Sequence, residues 1–420
     1  MLATLRGAPM GGATLLIAGA VICAALATGL RQSFGLFLAP MTTTLGWSSS
    51  GFAFAIALQV LLNGFAQPLV GQVADRIGGR TVVIGGAALY AIGILGMALS
   101  QGLPMFTFFA GIVMGIAVSA AGMPVINASL TRLLPEHLRG RAVGLGTAGS
   151  SFGQFAVVPL AQLGINVAGW QGALFLLAGA ALLMIPLALP LDGRPAPPKA
   201  GQDDQTAMQA LKLGLTTPTF WYIFFGFSVC GLHVSFLAVH LPGFVASCHL
   251  PASVGAAAIA LIGLFNVAGS LISGELSQRW KRRELLIIIY ASRGVLMTIF
   301  LLADKTTTNV LIFSAVMGLL WLSTIPPTVA LMARNFGTRW LATMFGLVFV
   351  GHQLGGFAGA FLGGYIFDRT GSYDLMWSLC IAAAAFAALM HIPVQDGPKA
   401  VDPGPKAPGM TPPPRAATTG

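Results

Sequence analysis

The sequence predicts an all-α membrane protein of twelve transmembrane helices arranged in two pseudo-symmetric six-helix bundles. Three observations support this prediction. Of the 420 residues, 56% are hydrophobic and only 8% are charged, about a third of the charged share of a soluble domain. Apolar runs of about 20 residues, the length that spans a bilayer, recur along the chain. The chain also repeats itself after about 202 residues. This composition argues against a soluble enzyme, a disordered chain and a nucleic-acid-binding protein.

Twelve apolar segments are expected to span the lipid bilayer, and a polar segment divides them into two groups of six. The first apolar run continues to Pro40, so we interpret it as an uncleaved span rather than a secretory signal. We expect a first bundle at 1–190, a cytoplasmic linker at 191–218, a second bundle at 219–393 and a disordered cytoplasmic tail at 394–420. The predicted spans are 13–40, 50–74, 82–101, 104–130, 140–165, 170–190, 219–245, 252–276, 284–303, 310–334, 340–367 and 373–393.

The basic residues predict the orientation of these spans. With a cytoplasmic N-terminus, eighteen of the 22 lysines and arginines fall in cytoplasmic segments, and only Lys305 and Arg369 fall in outer loops. An excess of cations marks the cytoplasmic side of a membrane protein. The net charge of +10 therefore reflects topology rather than binding to nucleic acid. We expect a multi-pass protein of the cytoplasmic (inner) membrane with both termini in the cytoplasm.

An internal repeat relates the two halves. The segment GLRQSF that begins at Gly29 matches GLHVSF that begins at Gly231, and Asn63 in the second span matches Asn266 in the eighth. Two halves of the same orientation are related by an axis along the membrane normal, which places a binding site near the midplane between them. Because this arrangement is typical of secondary transporters, the repeat predicts a transport protein with a central cavity.

The loop after the second span carries a motif that identifies a family. Its sequence, GQVADRIGGR from Gly71 to Arg80, resembles the G-x-x-x-D-R-x-G-R loop of the major facilitator superfamily. The resemblance implies the major facilitator fold, alternating access without a cofactor, and a monomer. It also implies gating residues: Asp75, Arg76 and Arg80, with Arg141 at the start of the fifth span as the candidate partner of Asp75.

Two further segments are similar to one branch of that superfamily, the monocarboxylate and oxalate–formate porters. They are SFGLFLAPM followed by LGWS near the end of the first span, and DRTGSY from Asp368 after the eleventh. This similarity implies transport of small organic carboxylates by proton symport or anion exchange. The branch often places an arginine in the eighth span where this chain has Ser270. Another cation must therefore hold the carboxylate, or the substrate is different.

Arg31 is the strongest candidate for that cation. It lies nine residues before Pro40, about 14 Å deep at 1.5 Å per residue, where a charged side chain is costly and usually functional. Its guanidinium offers a fork of donors that matches a carboxylate. We expect His233, the repeat equivalent of Arg31, to face it across the cavity, and His352 to lie near the middle of the eleventh span. The other expected substrate-binding residues are the neutral side chains Gln59, Asn63, Gln154, Asn266 and Gln353.

The remaining ionisable residues limit the mechanism. All twelve acidic residues lie in loops, tails or span ends, so any proton coupling must use a histidine or the carboxylate of the substrate itself. We expect Arg293, in the ninth span, to be structural and to bind carbonyl groups of the eighth or tenth. No nucleophile–base, metal-ligand or phosphate-loop pattern points to an enzyme. The leading hypothesis is a secondary transporter of small organic anions, mono- or dicarboxylates. The alternative is efflux of neutral or drug-like solutes with a structural Arg31.

Overall fold

The computed structural model describes residues 10–134, 136–191, 212, 214–336 and 341–396. Within these ranges it describes only the backbone at 10–13, 75, 131–132, 136–144 and 341–343. The described chain is almost entirely helical and contains no β-strand there. Most of the predicted linker and tail lies outside the described residues, so the division into four segments stays a prediction.

The first half comprises six helices, two of which are built from several pieces. They are α1, Met10–Gln32 continued by Phe34–Phe37 and Leu38–Leu45; α2, Ser49–Ile77; α3, Gly79–Leu99; α4, Leu103–Phe106, Thr107–Val113, Met114–Ala120 and Met123–Leu133; and α5 and α6, which share Glu136–Leu182, with α6 extended by Met184–Ala188.

The second half repeats this order. Its helices are α7, Pro218–Ser247; α8, Ala252–Arg279; α9, Arg282–Leu302; α10, Thr307–Leu320 and Ile325–Phe336; α11, Leu341–Thr370; and α12, Asp374–His391.

Eleven described segments are long and apolar enough to cross a membrane, and the longest of them is two helices. Leu145–Ala188 has 44 residues and would be about 66 Å long as one helix, twice the thickness of the hydrocarbon core. Within it Gly169 has φ 70° and ψ 175°, a conformation that ends α5 because only glycine adopts it without strain. The prediction of twelve transmembrane helices is therefore confirmed.

Helices α4 and α10 are interrupted at equivalent places. In α4 the helix stops at Ala120 and restarts at Met123, one residue before Pro124. In α10 it stops at Leu320 and restarts at Ile325, just before two prolines. Proline cannot donate the backbone hydrogen bond that a continuous helix requires, so each helix breaks before it. Each break leaves main-chain groups near the middle of the bundle that need partners.

Small residues let the helices of each half approach closely. A Cβ atom at Gly153 of α5 would collide with the carbonyl of Ala25 in α1, and one at Gly355 of α11 with the carbonyl of Ser228 in α7. These two contacts are equivalent in the repeat. Helix α5 therefore packs on α1, and α11 packs on α7, with little side chain between the backbones.

The two halves meet over the middle of the molecule and at one end. We name this the Asp368 end, since it holds Asp368 and the start of α2, and the opposite one the Arg76 end. At the Asp368 end, a Cβ atom at Gly35 of α1 would collide with the carbonyl of Ala238 in α7. Among the described residues, the two halves are therefore in contact at the Asp368 end.

Candidate functional site

Arg31 lies between the two halves beside a small cavity of about 30 Å³. The polar residues around this cavity are Gln32 and Gln59 from the first half and Ser235 from the second. Among the described residues, the guanidinium of Arg31 forms no hydrogen bond and no ion pair; its electrostatic neighbour is Tyr90 of α3. An unpaired guanidinium within a membrane span is costly, so this position favours an anionic ligand.

The backbone of α1 changes conformation just after Arg31. The α-helix ends at Gln32 and a 3₁₀ turn follows at Phe34–Phe37, while the hydroxyl of Ser33 donates to the carbonyl of Leu30 at 2.7 Å. Short 3₁₀ segments inside a helix often mark functional positions. Arg31 therefore lies at the junction between the α-helical first part of α1 and the 3₁₀ turn that follows it.

A hydrogen-bond chain connects α1, α5 and α8 next to Arg31. Gln32 donates through Nε2 to Oε1 of Gln154 at 3.0 Å, and Gln154 donates through Nε2 to the carbonyl of Ile259 at 2.8 Å. All three residues are buried. Gln154 therefore lies at the interface as expected, but in this conformation its amide is bonded to protein. Gln32 was not among the predicted site residues, although it follows Arg31 directly in the sequence.

Asn266 forms a second connection between the halves. Its Nδ2 donates to the hydroxyl of Ser151 in α5 at 3.0 Å, and its Oδ1 accepts from Ser270 at 3.2 Å and from the main-chain N–H of Leu322 at 3.0 Å. Leu322 lies in the break of α10, where its N–H has lost its helical partner. Asn266 thus accepts a hydrogen bond from a main-chain N–H of α10 that lacks a helical partner, and it connects this part of α10 to the first half.

The three other predicted amides have different partners. Gln353 of α11 donates to the carbonyl of Val60 in α2 at 2.7 Å and so bridges the halves. Gln59 lines the cavity and donates to the carbonyl of Ala110 at 3.1 Å, within the π-helical part of α4. The side chain of Asn63 is half-buried and forms no hydrogen bond with the described residues. Of these amides, Asn63 is thus the one whose polar atoms are free to contact a ligand in this conformation.

The two predicted histidines do not line the cavity beside Arg31. His233 donates through Nε2 to the carbonyl of Cys380 in α12 at 2.9 Å, so the expectation that it faces Arg31 across the cavity does not hold. His352 donates through Nδ1 to Gln353 at 3.0 Å and stacks on Phe349 with a centroid distance of 5.3 Å. Both rings pack inside the second half. The repeat predicts equivalent backbone positions, but neighbouring helices decide the direction of each ring.

Arg293 supports the break in α10, as predicted. It is 1% exposed and donates to the carbonyls of Leu320 and Trp321 at 2.5 Å each. It also lies 3.7 Å from the sulfur of Cys230 in α7. The carbonyls at the end of a helix carry partial negative charge, so they stabilise this buried cation without a carboxylate. Arg293 is therefore bound to protein, whereas Arg31 has no hydrogen-bond partner among the described residues.

The predicted gating residues lie at the Arg76 end. Arg76 is exposed in the last turn of α2, and Arg80 is half-buried in the first turn of α3. The side chains of Asp75 and Arg141 lie outside the described residues, so their pairing stays a prediction. In the part of the chain whose side chains are described, no group of three or more metal-ligating side chains occurs.

Comparison with known proteins places these features in a family. The family model described as Major Facilitator Superfamily matches residues 20–360. The chain is 25% identical to the uncharacterized MFS-type transporter YcxA of Bacillus subtilis (strain 168), covering 88% of this chain and 92% of that protein. It is 26% identical to Monocarboxylate transporter 11 of Mus musculus (89% and 86% covered) and 24% identical to the Oxalate:formate antiporter of Oxalobacter formigenes (79% and 82% covered).

The fold agrees with this assignment. The crystal structure of the nucleoside transporter NupG superimposes with a TM-score of 0.73 at 14% identity, covering 90% of this chain and 98% of that one. The resemblance to the superfamily, and to its branch of monocarboxylate and oxalate–formate porters, is confirmed by the family model and by these relatives. Since the family model spans most of the chain, the protein belongs to the major facilitator superfamily of membrane transporters.

Proposed function

We propose that this protein transports small organic anions, mono- or dicarboxylates, by alternating access, with Arg31 as the residue that binds the carboxylate. The observation that carries the proposal is the unpaired guanidinium of Arg31 at the interface of the two halves. The second cation within the described spans, Arg293, already donates to two carbonyls. Among the described residues within the spans, Arg31 therefore offers a free positive charge to a ligand.

The chemistry of Arg31 favours a carboxylate. A guanidinium binds both oxygens of a carboxylate through two parallel N–H···O bonds, and this attraction is stronger in a low-dielectric interior than in water. The neutral groups that line the same cavity, Gln59 and Ser235, would add hydrogen bonds without adding charge. Two of the relatives are named for monocarboxylates and for oxalate and formate, which supports the same class of substrate.

The size of the cavity supports alternating access. About 30 Å³ holds one or two water molecules and excludes an organic acid. A substrate can reach Arg31 only after the halves separate. With the orientation that the basic residues favour, the Asp368 end faces outward, so the described conformation is closed toward the outside. The driving force for transport would come from a proton gradient, through symport, or from the gradient of a second anion, through exchange.

Transport by the purified protein in lipid vesicles tests the proposal. We expect uptake of labelled formate, lactate or oxalate, and no uptake of a neutral sugar. Arg31→Gln should abolish this uptake, while Lys305→Gln, which removes a cation in a surface loop, should not. Acceleration by an imposed pH gradient would indicate proton symport, and acceleration by unlabelled carboxylate inside the vesicles would indicate exchange. Equal carboxylate uptake by the parent protein and Arg31→Gln would contradict the proposal, and flux of drug-like solutes alone would support the efflux alternative.

A further inference from the structure

Asp368 connects the two halves at the Asp368 end. It lies at the end of α11, and its two carboxylate oxygens accept hydrogen bonds from the main-chain N–H groups of Ser49 at 3.0 Å and Ser50 at 2.7 Å. Ser49 and Ser50 are the first two residues of α2. One carboxylate of the second half is thus bonded to two amides of the first.

The start of α2 is well suited to hold a carboxylate. The first N–H groups of a helix have no partner within the helix, and the aligned peptide dipoles place positive charge there. The hydroxyl of Ser48 accepts from Gly51, which leaves the amides of Ser49 and Ser50 for Asp368. Because the acid and the amides belong to different halves, this helix cap forms only when the halves are together at this end.

Neighbouring residues align the two helices for this contact. A Cβ atom at Gly364 of α11 would lie 2.7 Å from both Ala53 and the carbonyl of Ser49, so the backbones pass at close range one turn from Asp368. Phe54 of α2 packs edge-on against Phe361 with a centroid distance of 6.0 Å. These contacts close the path between α2 and α11 directly below the carboxylate.

A tyrosine packs close to the carboxylate. The hydroxyl of Tyr373 lies 3.5 Å from Nδ1 of His240, and burial raises the pKa of this hydroxyl well above its usual value, so it stays neutral. His240 in turn donates through Nε2 to the carbonyl of Ala360 in α11 at 2.6 Å. These bonds connect α7 to α11 and to the residue that precedes α12. Asp368 therefore belongs to a well-connected part of the second half.

We propose that Asp368 is a gating residue: its carboxylate, bonded to the first two amides of α2, holds the transporter closed at the Asp368 end and must release them before that end opens. The predicted gate at Asp75 and Arg141 belongs to the other end of the molecule. Two gates at opposite ends would alternate during the cycle. The inference rests on the proposed alternating-access mechanism, but it does not depend on which substrate is carried.

Distances between spin labels test this role in the full-length protein. Labels on Thr44→Cys and Ala246→Cys report the Asp368 end, and labels on Gln72→Cys and Gln278→Cys report the Arg76 end. All four positions are exposed. Cys248→Ser removes the one native cysteine that is not buried. We expect Asp368→Asn to raise the population that is open at the Asp368 end about fivefold and to shorten the distance at the other. Asp374→Asn, an exposed acid at the same end, should change neither.

A second variant removes the donor instead of the acceptor. Ser49→Pro deletes one of the two amides at the first position of α2, where proline fits the helix. Thr307→Pro makes the same change at the first position of α10 and is the matched control. If the contact is a gate, Ser49→Pro should shift the same populations, and its effect should not add to that of Asp368→Asn.

Folding and substrate are controlled separately. Asp368→Glu keeps the carboxylate and should retain most of the closed population if charge at this position matters. The measurements need no substrate, so they remain informative even if carboxylate transport is not found. Unchanged distances in both Asp368→Asn and Ser49→Pro, or fully additive effects of the two, would overturn the proposal.

Discussion

Tyr90 and Arg293 occupy equivalent positions in the two halves, 203 residues apart on α3 and α9, and each lies near the equivalent residue of the first helix of its half. For Tyr90 that residue is Arg31, and for Arg293 it is His233. The same two positions are thus neighbours in both halves, but the cation is on the first helix in one half and on the third helix in the other. In the first half the cation is left at the interface, and in the second it is enclosed among carbonyls.

Arg31 should be required for ligand binding rather than for folding. In Arg31→Gln we expect a small carboxylate to lose its effect on the melting temperature, because the variant has no charge to bind it. Arg31→Lys keeps the charge but loses the fork of donors and should bind about tenfold more weakly. A thermal-shift titration of detergent-purified protein measures both, with Arg369→Gln as control. An Arg31→Gln protein that is itself unstable would make Arg31 structural.

Arg293 should be required for folding. Arg293→Met leaves the carbonyls of Leu320 and Trp321 without their donor, and each buried unsatisfied group costs about 1–3 kcal/mol. We therefore expect a clearly lower melting temperature. Lys305→Met also removes a cation that donates to two carbonyls, but at the surface, and should change the melting temperature little. An Arg293→Met protein of unchanged stability that no longer binds carboxylates would assign Arg293 to the binding site.

Asn266 should couple α8 to the break in α10. Asn266→Leu removes the acceptor of the Leu322 N–H and the donor to Ser151, at a cost of about 1–3 kcal/mol for the buried amide. We expect a lower melting temperature and slower transport. Ser270→Ala removes a hydroxyl that only adds to the same acceptor and should have a small effect. Equal effects of the two variants would show that the contact with α10 is unimportant.

Two glycines of α11 should differ in their effect on conformation. Gly364→Ala places a methyl group 2.7 Å from Ala53 and from the carbonyl of Ser49, whereas Gly346→Ala places it in open space. Both changes favour the helix equally. Gly364→Ala should therefore shift the label distances at the Asp368 end toward the open state, and Gly346→Ala should not. Label distances in Gly364→Ala that match the closed state would show that α2 and α11 accommodate the methyl group without opening this end.

Much of the fold could be predicted because it is local. Each span satisfies its own backbone hydrogen bonds, so length and hydropathy are sufficient to find it. The sequence predicts two spans on either side of Gly169, since no single helix of 44 residues fits the bilayer. The partners of the broken helices α4 and α10 were not predictable, because they come from other helices.

The site could be predicted only in part. Arg31 and the amides Gln154, Asn266 and Gln353 lie at the interface of the halves, because buried polar residues in a span are rare enough to stand out. The direction of His233 was not predictable, since one residue changes the facing of a helical side chain by about 100°. Asp368 was noticed only as part of a family motif.

The sequence by itself determined the twelve spans, the repeat and the location of one unpaired cation, since these follow from the order of apolar and charged residues along the chain. Only the tertiary structure decided which polar groups meet. Asp368 and Ser49 are 319 residues apart, and they meet because the backbones of α11 and α2 approach closely at Gly364. Contacts of this kind depend on how whole helices pack, and no local pattern in the chain records them.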